Sequence, residues 1–304
     1  MNTNPVKNIM IGLLSGLLAV LVFLTVQSER QHTLTAAQES NILAILEQND
    51  ITMFTSIPRD FHPKQELRTQ RHIHDIDVLA ASFFGNAQID TNHEEPNGNR
   101  ILSSYDTGKT MEFFAQNNSI EFEIEGGLLL GDAAENFTKS AAAAEKLSHY
   151  FLQNVLGLDP NLHPLHTNNL THQGDYVLTF YEVYRGYILS NNQIRIHVTA
   201  QGITTAVFSR VTNIGFIDHQ SPIFSADEAL LALLNHLRVQ SGVEGPIGIT
   251  DMQLVFALPA PSQTRAIPAY LFTVSITIDG RSHLFNYLID ARSNTYIPYH
   301  IRIT

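Results

Sequence analysis

"TKSAAAAEKLSHYFLQNVLGL", residues 138–158, is the stretch that divides this chain. Its four consecutive alanines have the highest helix propensity of any residue. Leu147, Phe151 and Val155 recur every fourth position and so share one helical face, and Gly157 supplies a terminator. The stretch reads as an amphipathic helix opening a second folding unit. Before it and after it the same order of elements recurs, helix first and then strands.

Upstream, "LTAAQESNILAILEQNDI" places Leu34, Ile42, Leu43, Ile45 and Leu46 at helical spacing. Thr35 with Gln38 forms a capping-box pattern, and Asn49-Asp50 is a stop. "ITMFTSIP" reads as extended, and Pro58 and Pro63 bracket an irregular connector. "DIDVLAASFFG" is a short helix ended by Gly85. From Arg100, "RILSSYDTGKTMEFFA" and "SIEFEIEGG" alternate apolar and polar residues around an Asp106-Thr107-Gly108-Lys109 turn. A first unit closes near Gly131.

Downstream, "DYVLTFYEVYRGYILSNNQIRIHVTAQGITTAVFSRV" reads as strands, with Tyr176, Leu178, Phe180 and Ile194, Ile196, Val198 on one face. "SADEALLALLNHLRV" starts at a Ser225 N-cap with Glu228 three residues on. The end returns to strands, with Asp279-Gly280 as a hairpin turn. Helices packed on one face of antiparallel sheets would bury both patterns, so the expected class is α+β: a first unit over 29–131 and a second over 132–304.

Ahead of both lies "NIMIGLLSGLLAVLVFLTVQSER", residues 8–30. No charge interrupts it between Lys7 and Glu29, and the apolar run Ile9–Val26 would span about 27 Å as a helix at ~1.5 Å per residue. That approaches the roughly 30 Å of a bilayer's hydrocarbon core. The exit Thr25-Val26-Gln27-Ser28-Glu29-Arg30 carries no small-x-small cleavage pattern, so residues 8–28 are expected to stay as a transmembrane anchor behind a cytoplasmic tip, 1–7. Lys7 and the amino terminus against Arg30 orient the N-terminus inward and the bulk of the chain outward. Within the run, Gly12 and Gly16 are four apart, and Ser15 and Ala19 repeat that spacing beside them. The stripe of small residues is expected to be the surface on which a partner's membrane helix packs.

A net charge of −11 argues against nucleic acid and against docking of the outer region on anionic lipid. With 44% hydrophobic and 15% charged residues the composition is globular, and with no cysteine its stability must come from a packed core. Residues with chemical potential are few. His72-x-His74 with Asp75 and Asp77 contains metal-ligand types, as does the loop with His163, His166 and His172, but neither has an established ligand spacing. Glu121, Glu123 and Glu125 alternate as a solvent face would. Tyr181, Tyr184 and Tyr187 are either an aromatic recognition surface or the packing of an extended segment. There is no cysteine nucleophile, no G-x-S-x-G and no glycine-rich phosphate loop. No catalytic residue, cofactor or metal is expected, and the chain is expected not to be an enzyme.

The tip and anchor, the "ILEQNDITMFTSIP" passage, "LAASFFG", the "YEVYRGYILSNNQIRIHV" strand pair, the capped "SADEALLALLNHL" helix and the closing "AIPAYLFTVSI" and "LFNYLIDARSNTYI" together resemble the YycI branch of the YycH/YycI regulatory proteins. The tail also resembles PepSY-like modules, with Asn294 where their turn has glycine and Pro268-Ala269-Tyr270 in place of an aromatic after the proline. The resemblance implies a membrane-anchored, extracytoplasmic, non-enzymatic regulator of a cell-wall-related two-component sensor histidine kinase in a Gram-positive bacterium. Its expected partners are the kinase's membrane helices and a YycH-like anchored protein. Two other classes compete: a PepSY-like binding or protease-inhibitory module, and a wall hydrolase using carboxylates that sequence does not pair.

Overall fold

A computed structural model describes residues 33–130, 140–158, 165–172, 175–260, 263–278 and 280–298, with 165–172 described by its backbone. The anchor 8–28 and its stripe Gly12, Ser15, Gly16 and Ala19 lie outside the described residues, as does Gly131. Among the described residues no helix is long and apolar enough to cross a membrane.

The elements run α1 (Ala36–Gln48), β1 (Ile51–Met53), β2 (Lys64–Arg71), α2 (Ile76–Phe84), β3 (Thr91–Glu94), β4 (Arg100–Ser104), β5 (Lys109–Phe114), β6 (Ser119–Leu128) and α3 (Ala141–Asn154). They continue with β7 (Leu165–His172), β8 (Asp175–Tyr184), β9 (Tyr187–Thr199), β10 (Gly202–Ser209), β11 (Val211–Ser221) and α4 (Ala226–Asn235), which passes into a π-helical turn (His236–Gln240). β12 (Ile247–Ala257), β13 (Arg265–Ile278), β14 (Arg281–Asp290) and β15 (Tyr296–Ile297) complete them. Local signals set these boundaries. The Thr35–Gln38 capping box opens α1, and Gly85 at φ 60° ends α2. The Phe83 carbonyl near the end of α2 accepts from Lys109 Nζ at 2.7 Å, so one of that helix's orphan acceptors is satisfied.

The expected pair of helix-plus-antiparallel-sheet units does not form. The described strands join instead into one 15-stranded mixed sheet. β6 pairs not only with β5 but with β10, more than 70 residues on. β1 pairs in parallel with β12, β2 joins β11 and the start of β13, and Leu189 of β9 meets Phe256 of β12 in parallel. The physical reason is that period-two alternation specifies which face of a strand is buried but not which strand lies beside it. Non-local pairing builds one core from both halves of the chain, in which Leu102, Met111 and Phe122 share a cluster with Phe151, Phe180 and Ile196.

Two helical faces cover this sheet. α2 and α3 pack on β4–β6 and β8–β10, where Phe83, Phe122 and Phe151 stack edge to face with centroids 4.9 and 5.6 Å apart. Burial of each such ring stabilises by about 2–3 kcal/mol. α1 and α4 pack on β12–β14 over Tyr270, Phe272, Val274 and Ile276. Arg238 fastens this pair: its guanidinium donates to the carbonyls of Val243 at 2.6 Å and Gly245 at 2.9 Å, and to that of Asn49 at the end of α1. The opposite face of β12–β14, through Val255, Ile267, Ala269, Leu271 and Leu288, packs against Tyr181 and Ile188 of β8 and β9. β13 is therefore buried on both sides, which its nearly unbroken apolar sequence permits.

Candidate functional site

The residues singled out by sequence do not converge. Asp75 caps α2 by accepting from Val78 N at 3.1 Å, and Asp77 pairs with Arg100 at 2.9 Å. Among the described residues no three metal-ligating side chains cluster. His163 lies outside the described residues, and His166 and His172 fall on β7, whose side chains are not described. Glu123 and Glu125 are exposed and Glu121 is half-buried, on the face of β6 away from the helices. Glu112 lies directly across from Glu121, and its carboxyl is held above the usual range by burial and then by the charges of Glu121, Glu95 and Glu123. Beside this acidic face an open cleft of about 480 Å³ is lined by Ser103, Tyr105, Thr110, Glu123, Glu125 and Thr205.

His72 and His74 belong to a polar junction built from distant segments. Asn118, in the β5–β6 turn at φ 57°, donates from Nδ2 to the carbonyls of His72 and Arg210, each at 3.0 Å. Its Oδ1 accepts from Arg71 Nε at 3.0 Å, and its carbonyl accepts from His74 Nε2 at 3.3 Å. His72 Nδ1 lies 3.0 Å from the Thr212 hydroxyl. Beyond Arg210, Glu182 takes the guanidinium at 3.3 Å and accepts from Asn192 at 2.7 Å, and Asn192 bonds both backbone groups of Val211. His74 is packed edge-on against Phe208 and His72, with ring centroids 5.2 and 4.8 Å away. Burial, then the neighbouring His72, lowers its pKa from 6.5 to about 4, against the opposing hydrogen bond to Asn118. His72 is lowered too, by burial and then by the Arg210 charge. The junction holds neutral imidazoles and paired charges in place. It couples β2, β5–β6 and β8–β11 rather than presenting a reactive group.

The three tyrosines of "YEVYRGY" separate into two roles. Tyr181 is fully buried between the sheet layers, its hydroxyl accepting from Asn286 Nδ2 at 2.9 Å. Tyr184 and Tyr187 face one another across the β8–β9 turn and are half-buried in a run of rings with Phe216 and Phe256, spaced 5.4–5.7 Å. The turn residues Arg185 and Gly186 have φ of 50° and 86°, a two-residue loop of the kind that matches strand twist. Arginine in that left-handed region costs about 1–2 kcal/mol. The exposed Arg185 guanidinium lies 5.6 Å from the Tyr184 ring and 5.7 Å from Phe216, contacts that return about 0.5–1 kcal/mol each. The arrangement is therefore close to neutral for folding. Lys64 Nζ lies over Tyr187 at 5.8 Å. Sequence reasoning passed over Arg185 and Asn118. The Arg-Gly pair between two tyrosines, and Asn117-Asn118 between two strands, are turn signals that would have located them.

No family model matches this chain, and no curated protein does. Among solved structures it is similar to an uncharacterized protein from Eubacterium rectale, with 13% identity over 87% of this chain and 99% of that one, at a TM-score of 0.50. That likeness concerns the fold alone. A second neighbour is the Bacillus megaterium YpeB C-terminal domain, with 14% identity, 75% of this chain and 97% of that one covered, and a TM-score of 0.37.

Proposed function

We propose that this chain is a non-enzymatic, membrane-anchored accessory regulator of a cell-wall-related two-component sensor histidine kinase. Residues 8–28 hold it in the cell membrane with the N-terminus cytoplasmic and the remainder extracytoplasmic, and it acts by protein contacts through both the anchor and the outer domain. The observation that carries this reading is the uncharged apolar run Ile9–Val26 with its Gly12, Ser15, Gly16 and Ala19 stripe, set ahead of a large folded region. In lipid, close backbone approach at small residues is the main available force between helices. The YycI-like order of elements supports the kinase and a YycH-like anchored protein as the partners.

The test replaces Gly12 and Gly16 together by leucine. Insertion persists because leucine is at least as apolar, while co-purification with the kinase and kinase output in cells both change. If both readouts match the wild type, the stripe is not the contact. A second reading, a PepSY-like binding or inhibitory module, is favoured by one feature of the tail: Asn294 holds φ 55°, the left-handed conformation that glycine supplies in such turns. Binding of a peptide or wall polymer by the protein without any membrane partner would select that reading.

A further inference from the structure

We propose that the Tyr184–Tyr187 hairpin, with the adjoining ends of β2 and β11, is a docking surface for an acidic protein segment, whose carboxylates are received by Arg185 and Lys64 above the Tyr184, Tyr187 and Phe216 rings. This rests on reading the outer domain as a protein-binding module, but on no particular kinase.

In a chain with 18 basic and 29 acidic residues, these two cations stand over adjoining rings, and among the described residues neither forms an ion pair. Two acids on the flanking strands are already engaged: Glu66 by Arg292, and Glu182 by Arg210 and Asn192. The Tyr184 and Tyr187 hydroxyls have no hydrogen-bond partner among the described residues. Arg185 holds a left-handed backbone conformation that glycine or asparagine would adopt with less strain, and strain of this kind concentrates at ligand-binding positions. The Arg185 side chain stays exposed with its guanidinium carbon 5.6 and 5.7 Å from two ring centroids. Arginine and tyrosine on an aromatic floor are the residue types that dominate protein interfaces, which favours a polypeptide over a lipid surface, and the two cations set the sign of the charge it must carry. Charge complementarity therefore selects an acidic polypeptide.

The test uses the full-length chain in neutral detergent and a fluorescein-labelled decaglutamate peptide, followed by anisotropy at low salt. Saturable binding is expected, weakened about ten-fold by Arg185→Gly, the scale of one lost charge-assisted contact, and likewise by Lys64→Gln. Arg185→Gly keeps the melting temperature, because glycine tolerates the turn. Arg59→Gln, which removes an exposed cation paired with Glu39, leaves binding unchanged. Absence of saturable binding overturns the proposal, and so does an equal loss in Arg59→Gln. Polygalacturonate bound as tightly, with the same sensitivity to Arg185→Gly, would make the surface a general polyanion trap and overturn it as well. The leucine double variant of the anchor leaves this assay untouched, so the anchor reading and the docking surface fail separately.

Discussion

Arg71 donates from Nε to the side-chain oxygen of Asn118, 47 residues away, at 3.0 Å, and in doing so ties the end of β2 to the β5–β6 turn. Asn118 can take this place because asparagine enters the left-handed region at modest cost and offers donor and acceptor on one short side chain. Its two Nδ2 bonds reach the carbonyls of His72 and Arg210, which bring the β2 exit and the β10–β11 link to the same point.

Asn118→Ala removes three hydrogen bonds and places an alanine at φ 57°. With about 1 kcal/mol net for a typical bond and about 1 kcal/mol for the backbone, the expected loss is about 2–4 kcal/mol in unfolding free energy. Asn118→Gly removes the same bonds without the backbone strain and should lose less. Denaturant midpoints of the two variants separate the terms. A loss under about 0.5 kcal/mol in the alanine variant would show that the junction does not hold these segments together.

The histidines give the junction a pH dependence of definite sign. His74 is held at about 4 against 6.5 unfolded, so between those values the unfolded chain binds the extra proton and stability rises with pH. The contribution is fully present above about pH 6.5 and is lost as pH falls toward 4. It amounts to about 2–3 kcal/mol at roughly 1.4 kcal/mol per unit, reduced for the ring's partial exposure. His72, also lowered, adds in the same direction. His74→Phe keeps a ring against Phe113 and Phe208 but cannot titrate. From pH 7 to 4 the wild type's melting temperature should fall relative to the variant's as it loses its share, and parallel profiles would contradict the assignment.

What was legible in the sequence was local. Thr35 with Gln38, Ser225 with Glu228, and Gly85 and Gly157 mark helix ends because caps depend on residues three or four apart. The alternation of Glu121, Glu123 and Glu125 correctly gave an outward face. Partnership between strands was not legible. Nothing in "SIEFEIEGG" says that β10 lies beside it, and nothing in Tyr181 distinguishes it from Tyr184 until one face of β12–β14 buries Tyr181 fully and leaves Tyr184 half-buried at the margin with Phe216 and Phe256. The hub at Asn118 was hidden for the same reason, since its partners at positions 71, 72 and 210 meet only after non-local pairing is complete.

The mixed sheet has a consequence for how the chain comes apart. α1 and β1, which precede the α2-to-β6 run in sequence, belong by packing with the C-terminal strands: Leu46 is 1% exposed within the cluster of Leu230, Leu233, Ile249, Tyr270 and Phe272, and β1 adds in parallel to β12. Leu46→Ala should therefore lower stability by about 2–4 kcal/mol through the cavity it leaves. Its effect should not fall on the neighbouring stretch of sequence. In native-state hydrogen exchange, amides of β1, β12 and β13 should lose protection more than those of β4 and β5, which share a core with α2 and α3 instead. Two independent helix-plus-sheet units would give the reverse pattern, with β4 and β5 responding first and β12 and β13 unmoved. Uniform loss across all strands would mean that the sheet opens only as a whole, and would rule out local opening at the α1 face.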